Sequence, residues 1–206
     1  MSNIFDQHCK KYDAWYDKNR FAYLSELKAI KRVLPKRSKG LEIGVGTGRF
    51  ASLLGIKYGI DPAKNMLKVA SQRGIKVRAG AGENLPFNKG TFDYVAIIIT
   101  LSFVRNPGKV LKEAGRVLKK NGKIIAGIVD RDSFLGKYYL KKKGIFYSKA
   151  KLLNVKEATD LLTKAGFGGF SYYQTLFRLP GEMRSVHKVK KGFGRGGFVV
   201  ISAVKS

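Results

Sequence analysis

Cysteine, histidine and acid are scarce in this chain. Of 206 residues one is cysteine, Cys9, and two are histidine. One cysteine excludes an internal disulfide and fits a reducing compartment. Two histidines and one cysteine offer no zinc constellation. Proline occurs five times and tryptophan once. The longest apolar run, around Tyr94 to Thr100, is too short for a bilayer. The start, Met-Ser-Asn-Ile-Phe-Asp, lacks the basic and apolar regions of a signal peptide. A soluble cytoplasmic protein without a membrane span is expected. Acids number 14 against 41 Lys+Arg, a formal charge of +27. Heat adaptation usually enriches glutamate together with lysine, so it accounts poorly for this imbalance. A charge of that size attracts polyanions. It admits nucleic acid as a partner and favours an anionic acceptor or surface.

What the chain has is 44% hydrophobic and 27% charged residues, a globular composition. Its length suits one domain with a substantial core. The chain is organised around Leu41-Glu-Ile-Gly-Val-Gly-Thr-Gly-Arg-Phe50. This stretch reads as the end of a buried strand, a glycine turn and a first helical turn. Gly44, Gly46 and Gly48 remove every Cβ from the turn, so backbone N–H groups can approach a ligand. Asp61 closes the next apolar stretch, and Pro62 suits the first turn of a following helix. A dinucleotide fingerprint, G-x-G-x-x-G, fails from Gly44, because its third glycine falls on Arg49. From Gly46 only the weaker variant ending at Ala51 fits.

The spacing E-x-G-x-G-x-G resembles motif I of the class I S-adenosylmethionine-dependent methyltransferases. The match is with the small branch that acts on quinone precursors, other metabolites and some RNA bases. The resemblance spans about residues 12–204 and is strongest over 41–130. It implies an α/β fold: a doubly wound, Rossmann-like, seven-stranded, mostly parallel sheet with one antiparallel strand, helices on both faces and an N-terminal helical cap. It implies one domain over 1–206, with the cap at 1–38, a cofactor-binding half at 39–130, and a substrate-side insertion and C-terminal strands at 131–206. The cofactor implied is S-adenosylmethionine, leaving as S-adenosylhomocysteine. Its implied site is Glu42, Gly44, Gly46, Gly48, Asp61, Pro62, Met66, Ala81, Gly82, Glu83 and Thr100. Asp61 would hold the ribose and Met66 would pack under the adenine.

Gly80-Ala-Gly-Glu-Asn-Leu-Pro-Phe87 resembles the family's G-D-A-E-x-L-P-F segment beside the adenine, with one departure. The family's aspartate, which accepts from the adenine amino group, falls on Ala81. Losing one such bond costs about 0.5–1.5 kcal/mol. Thr91 to Thr100 reads as a buried central strand. At its end, Thr100-Leu-Ser-Phe-Val104, the residues Leu101 to Val104 stand where many relatives carry L-H-H-V, so no base is supplied there. Asn106-Pro107 starts a helix to about Lys119, and Lys120-Asn-Gly-Lys123 reads as a turn into a strand at 124–129.

Tyr12-Asp-Ala-Trp-Tyr16 and Arg20-Phe-Ala-Tyr-Leu-Ser-Glu26 resemble the family's cap. Tyr12, Trp15, Tyr16 and Arg20 are therefore lid candidates. Apolar residues at 21, 24, 27, 30 and 34 have helical period. Ser133 to Lys156 carries seven lysines and no acid. Strands are expected at 171–177 and 198–204. The connection 178–197 between them is long and basic, and it contains His187. Loops of that length usually carry function or are disordered. Cap, insertion and loop are expected on one rim, which makes the global charge a local argument for an anionic acceptor. His187, His8, Asp13 and Asp130 are the general-base candidates, none with a motif behind it. Three functions are left open. The first is methyl transfer to N or O of a small molecule. The second is methyl transfer to RNA or another polyanion. The third is a non-catalytic nucleic-acid-binding relative, which retention of Glu42, the three glycines and Asp61 disfavours.

Overall fold

The computed structural model describes residues 2–142 and 144–205. Three helices lead the chain: α1 (Ser2–Gln7), α2 (Cys9–Lys18) and α3 (Arg20–Lys31). Alternation then begins with β1 (Gly40–Ile43), α4 (Arg49–Leu54), β2 (Tyr58–Asp61), α5 (Lys64–Gln72) and β3 (Lys76–Ala79). β4 (Phe92–Ile98), α6 (Pro107–Val117) and β5 (Leu118–Val129) complete the parallel part. α7 (Phe134–Lys142), α8 (Val155–Lys164), β6 (Phe167–Thr175), β7 (Lys190–Lys191) and β8 (Phe198–Lys205) follow.

The sheet order is β3-β2-β1-β4-β5-β8-β6-β7. The first five strands in that order pair in parallel. β8 runs antiparallel between β5 and β6. The expected mixed, Rossmann-like sheet with leading helices is therefore present. An eighth strand joins it, because two residues of the 178–197 connection pair with β6 through Tyr173 and Gln174.

Both sheet faces are covered, so the central strands are apolar on both sides. On one face Leu27 and Ile30 of α3 pack with Phe50, Ile98, Phe198 and Val200. On the other Leu41, Ile43, Ile60 and Val95 meet Val110, Leu111 and Leu162 of α6 and α8. The start of α6 is the expected one. Pro107 opens α6 behind Asn106, whose Oδ1 accepts from the Lys109 N–H. Asn154 and Glu157 close a capping box on α8.

One boundary differs. Lys120-Asn-Gly-Lys123 does not separate helix from strand; β5 already begins at Leu118. The pairing with β4 slips there, from Phe92–Leu118 to Tyr94–Lys123. Asn121 takes a positive φ of 59°. The turn residues make a bulge inside a strand, because strand pairing resumes on both sides of them.

Candidate functional site

A cavity of about 620 Å³ opens at the carboxyl ends of the parallel strands. That position is where open α/β sheets bind ligands, and the volume suits a ligand pocket. It has a floor made largely of backbone and a roof made of aromatic side chains.

The floor starts at Gly44 and Gly46, just past β1. Their φ angles are +73° and +52°, which L side chains resist. A Cβ on Gly44 would sit 2.3 Å from the Thr100 side chain. Thr100 in turn donates from Oγ1 to the Ile98 carbonyl at 3.0 Å. The β1 turn and the end of β4 thus touch only because one of them has no side chain. Ile99 between them has φ +63°, an outlier for a β-branched residue. Its N–H donates to the Gly127 carbonyl at 2.6 Å, which ties the strained residue to β5.

Asp61 ends β2 and faces the cavity. Its Oδ2 accepts from the Gly46 N–H at 3.0 Å, and its Oδ1 from the Ala63 N–H at 2.9 Å. Burial raises its carboxyl above the usual range, and these two N–H groups oppose the shift. Pro62, Met66, Gly80, Ala81, Gly82 and Glu83 continue the wall. Gly82 replaces the family pattern's alanine for a visible reason: a Cβ would meet Ile43 at 2.8 Å and Val110 at 3.2 Å. Glu83 Oε1 accepts from the N–H groups of Arg105 and Asn106 at 3.1 and 3.3 Å.

Glu42 and Gly48, expected at the site, do not line the cavity. Glu42 is 2% exposed beneath the turn, and its Oε2 has no partner among the described residues. Burial pushes its carboxyl well up, against the favourable Ala51 N–H. Gly48 is a packing glycine: a Cβ would lie 3.2 Å from Ala70 of α5.

The roof comes from the two ends of the chain's aromatic content. Tyr12, Trp15 and Tyr16 of α2 line the cavity as expected, with Phe5 of α1. Tyr139 of α7, Phe146 and Tyr147 close it from the insertion. Phe5 stacks on Phe146 at 5.1 Å and 18°. Tyr139 stacks on Tyr147 at 4.2 Å and 12°. The Tyr12 and Tyr16 hydroxyls share a 2.8 Å hydrogen bond. An ionic latch holds α2 down. Arg49, beside the glycine turn, binds Asp13 and Asp17 at 2.6 Å each, and Arg73 binds Asp13 at 2.8 Å. Burial raises the Asp13 carboxyl, but the bonds from Arg73 and Arg49 win and hold it well below the usual range.

Three expectations about the rim are corrected. Arg20 begins α3 exposed and away from the cavity. The 178–197 connection contributes no wall. His187 instead accepts the Phe177 N–H on Nδ1 at 3.0 Å, and its own N–H donates to Ser25 Oγ at 2.9 Å. The loop is thereby pinned to α3. Burial and Arg178 lower the His187 pKa. The lysines of the insertion are also turned outward: Lys137, Lys141, Lys142, Lys149, Lys151 and Lys156 are exposed, and Lys143 lies outside the described residues. Among the described lining residues the basic ones are Arg105 and Lys109, against Glu26, Asp61 and Glu83. The general-base candidates His8, Asp13, Asp130 and His187 all lie off the wall.

Beside Tyr139, Phe146 and Tyr147, a further lining residue outside the expected site set is Glu26 of α3, which closes the cap motif. Its signal was available. It lies three residues after Tyr23 and four before Ile30, on the buried helix face. The roof aromatics of the insertion stand between exposed lysines, which dominate its composition.

A family model described as "Methyltransferase domain" matches residues 41–126. A Thermotoga maritima crystal structure superposes with a TM-score of 0.97 at 47% identity, covering 99% of each chain. It is described as an S-adenosylmethionine-dependent methyltransferase, possible histamine N-methyltransferase. An uncharacterized Methanocaldococcus jannaschii protein is 50% identical over 98% of this chain and 99% of its own. The demethylmenaquinone methyltransferase of a Geobacillus species is 31% identical over 66% of this chain and 65% of its own. The chain belongs to the S-adenosylmethionine-dependent methyltransferases of class I. No described helix is long and apolar enough to cross a membrane.

Proposed function

We propose that this methyltransferase moves the methyl group of S-adenosylmethionine to a nitrogen or oxygen of a small molecule held under the aromatic roof. The observation that carries the reading is continuity: one cavity joins the glycine and Asp61 floor to the Trp15, Tyr139 and Tyr147 roof. When bound, the cofactor supplies a methyl group activated by a sulfonium sulfur.

The chain's own residues do the rest. Gly44 and Gly46 leave room for the cofactor's amino-acid part. Asp61 keeps its carboxylate oriented by the Gly46 and Ala63 N–H groups and accepts from the ribose hydroxyls. Pro62, Met66, Ala81, Gly82 and Glu83 flank the base, with Thr100 at the reacting end. Glu42 and Gly48 support the turn from behind. In-line displacement with a neutral leaving group draws much of its rate from positioning, and the closed roof excludes water from the acceptor. The expected histidine and aspartate bases are off the wall, which favours an acceptor that needs little deprotonation.

The roof also favours a small acceptor over RNA, since the exposed lysines lie outside the chamber. On this reading residues 1–206 form one domain: 1–38 supply the cap, 39–130 the floor, and 131–206 the rest of the roof and the closing strands. The test is methyl transfer from radiolabelled S-adenosylmethionine to panels of small amines and phenols, with bulk RNA alongside. Label in a small molecule supports the reading. Label in RNA alone would replace it with the polyanion alternative.

A further inference from the structure

The roof has a carboxylate in it that the methyl-transfer reading does not use. Glu26 is 2% exposed, lines the cavity, and its Oε2 has no hydrogen-bond partner among the described residues. A buried acid without a partner is costly, and a helix that only had to pack would carry leucine here. Its surroundings are phenols. Tyr12 and Tyr16 of α2, Tyr23 of α3, Tyr139 of α7 and Tyr147 are each pushed up by burial, and the Glu26 charge raises each of them further. Those hydroxyls stay neutral, and among the described residues no cation acts on the carboxylate, whose shift has burial as its cause.

An acid surrounded by electron-rich ring faces is a recognition site for a cationic nitrogen. We propose that Glu26 anchors, as an ammonium ion, an amino group of the acceptor other than the atom that receives the methyl group, which makes the acceptor a small amine whose carbon skeleton lies against Trp15, Tyr139 and Tyr147. The inference rests on the methyl-transfer reading for the role of the chamber and adds the substrate class and its anchor. It runs opposite to the chain's net charge: a protein of +27 presents its acceptor chamber with an acid. Burial alone raises the Glu26 carboxyl, to about 8. An ammonium ion would restore its charge, so amine binding strengthens as pH rises toward that value.

Trp15 lines the chamber and is the chain's one tryptophan, so its fluorescence reports occupancy. The experiment titrates full-length protein saturated with S-adenosylhomocysteine, using 2-phenylethylamine, histamine and the uncharged isostere 2-phenylethanol. The expected result is at least a tenfold preference for an amine over the alcohol. Glu26→Gln should bring that preference within threefold while S-adenosylhomocysteine affinity is unchanged. Amine affinity should climb from pH 6 to 8 in the wild type and stay flat in the variant. Glu26→Gln removes a buried titratable carboxyl and keeps the side-chain shape, so it should fold. Equal binding of amine and alcohol, no amine binding, or an undiminished preference in the variant would overturn the proposal and leave the methyltransferase reading standing. Failure of the wild type to bind S-adenosylhomocysteine would overturn both.

Discussion

The floor and the roof of the cavity are built by opposite means. The floor is backbone: glycines at positive φ, a strained Ile99 and a carboxylate held by two N–H groups. The roof is side chain: rings from α1, α2, α7 and the 144–150 segment, packed both edge to face and stacked and clamped by Arg49. A floor set by strand ends suits a group that is the same in every turnover. A roof set by side chains on helices can be changed without disturbing the sheet, which suits the part of the reaction that differs between relatives.

The contrast can be broken most sharply at Gly44. Gly44→Ala places a Cβ in a left-handed position costing about 1–2 kcal/mol and against Thr100 at 2.3 Å. Calorimetry should show at least a hundredfold loss of S-adenosylhomocysteine affinity together with a lower melting temperature. Asp61→Ala is next. It removes charged hydrogen bonds worth about 1.5–3 kcal/mol each and should weaken the same titration by ten- to a hundredfold.

Asp13→Asn attacks the roof through its latch. A loss of about 1–2 kcal/mol in a chain this size lowers the melting temperature by roughly 2–8 °C. The Asp13 carboxyl is depressed below its ordinary 3.8 in the fold. Its contribution to stability is therefore full above that value and lost as pH falls through the folded pKa. Acid melting curves should show this loss in the wild type and not in the variant. The smallest effect belongs to His187→Ala. It frees the Phe177 N–H but touches neither floor nor roof, so turnover should stay within twofold of wild type.

The floor was legible in the sequence because its parts are covalently close. Three glycines, a strand and an acid at fixed spacing encode one turn, and Gly44, Gly46, Asp61 and Met66 all reach the wall. Glu42 and Gly48 belong to the same motif but act from behind it, and a motif does not show which of its residues faces the ligand. The roof was half legible. Tyr12, Trp15 and Tyr16 share one helix, whereas Tyr139 and Tyr147 meet them only through the tertiary path of the insertion. The lysine content of the insertion points to a basic wall. Helix geometry instead sends Tyr139 inward and Lys137, Lys141 and Lys142 to solvent. The direction of the 178–197 connection is set by β7 pairing and by the His187–Ser25 contact, neither of which has a local signature.

The most direct test of the central claim is titration of the wild type and Asp61→Ala with S-adenosylhomocysteine. Micromolar binding by the wild type, reduced at least tenfold by the substitution in a folded variant, is the predicted result. No binding by the wild type, or equal binding by both proteins, would contradict the placement of the cofactor on the glycine floor.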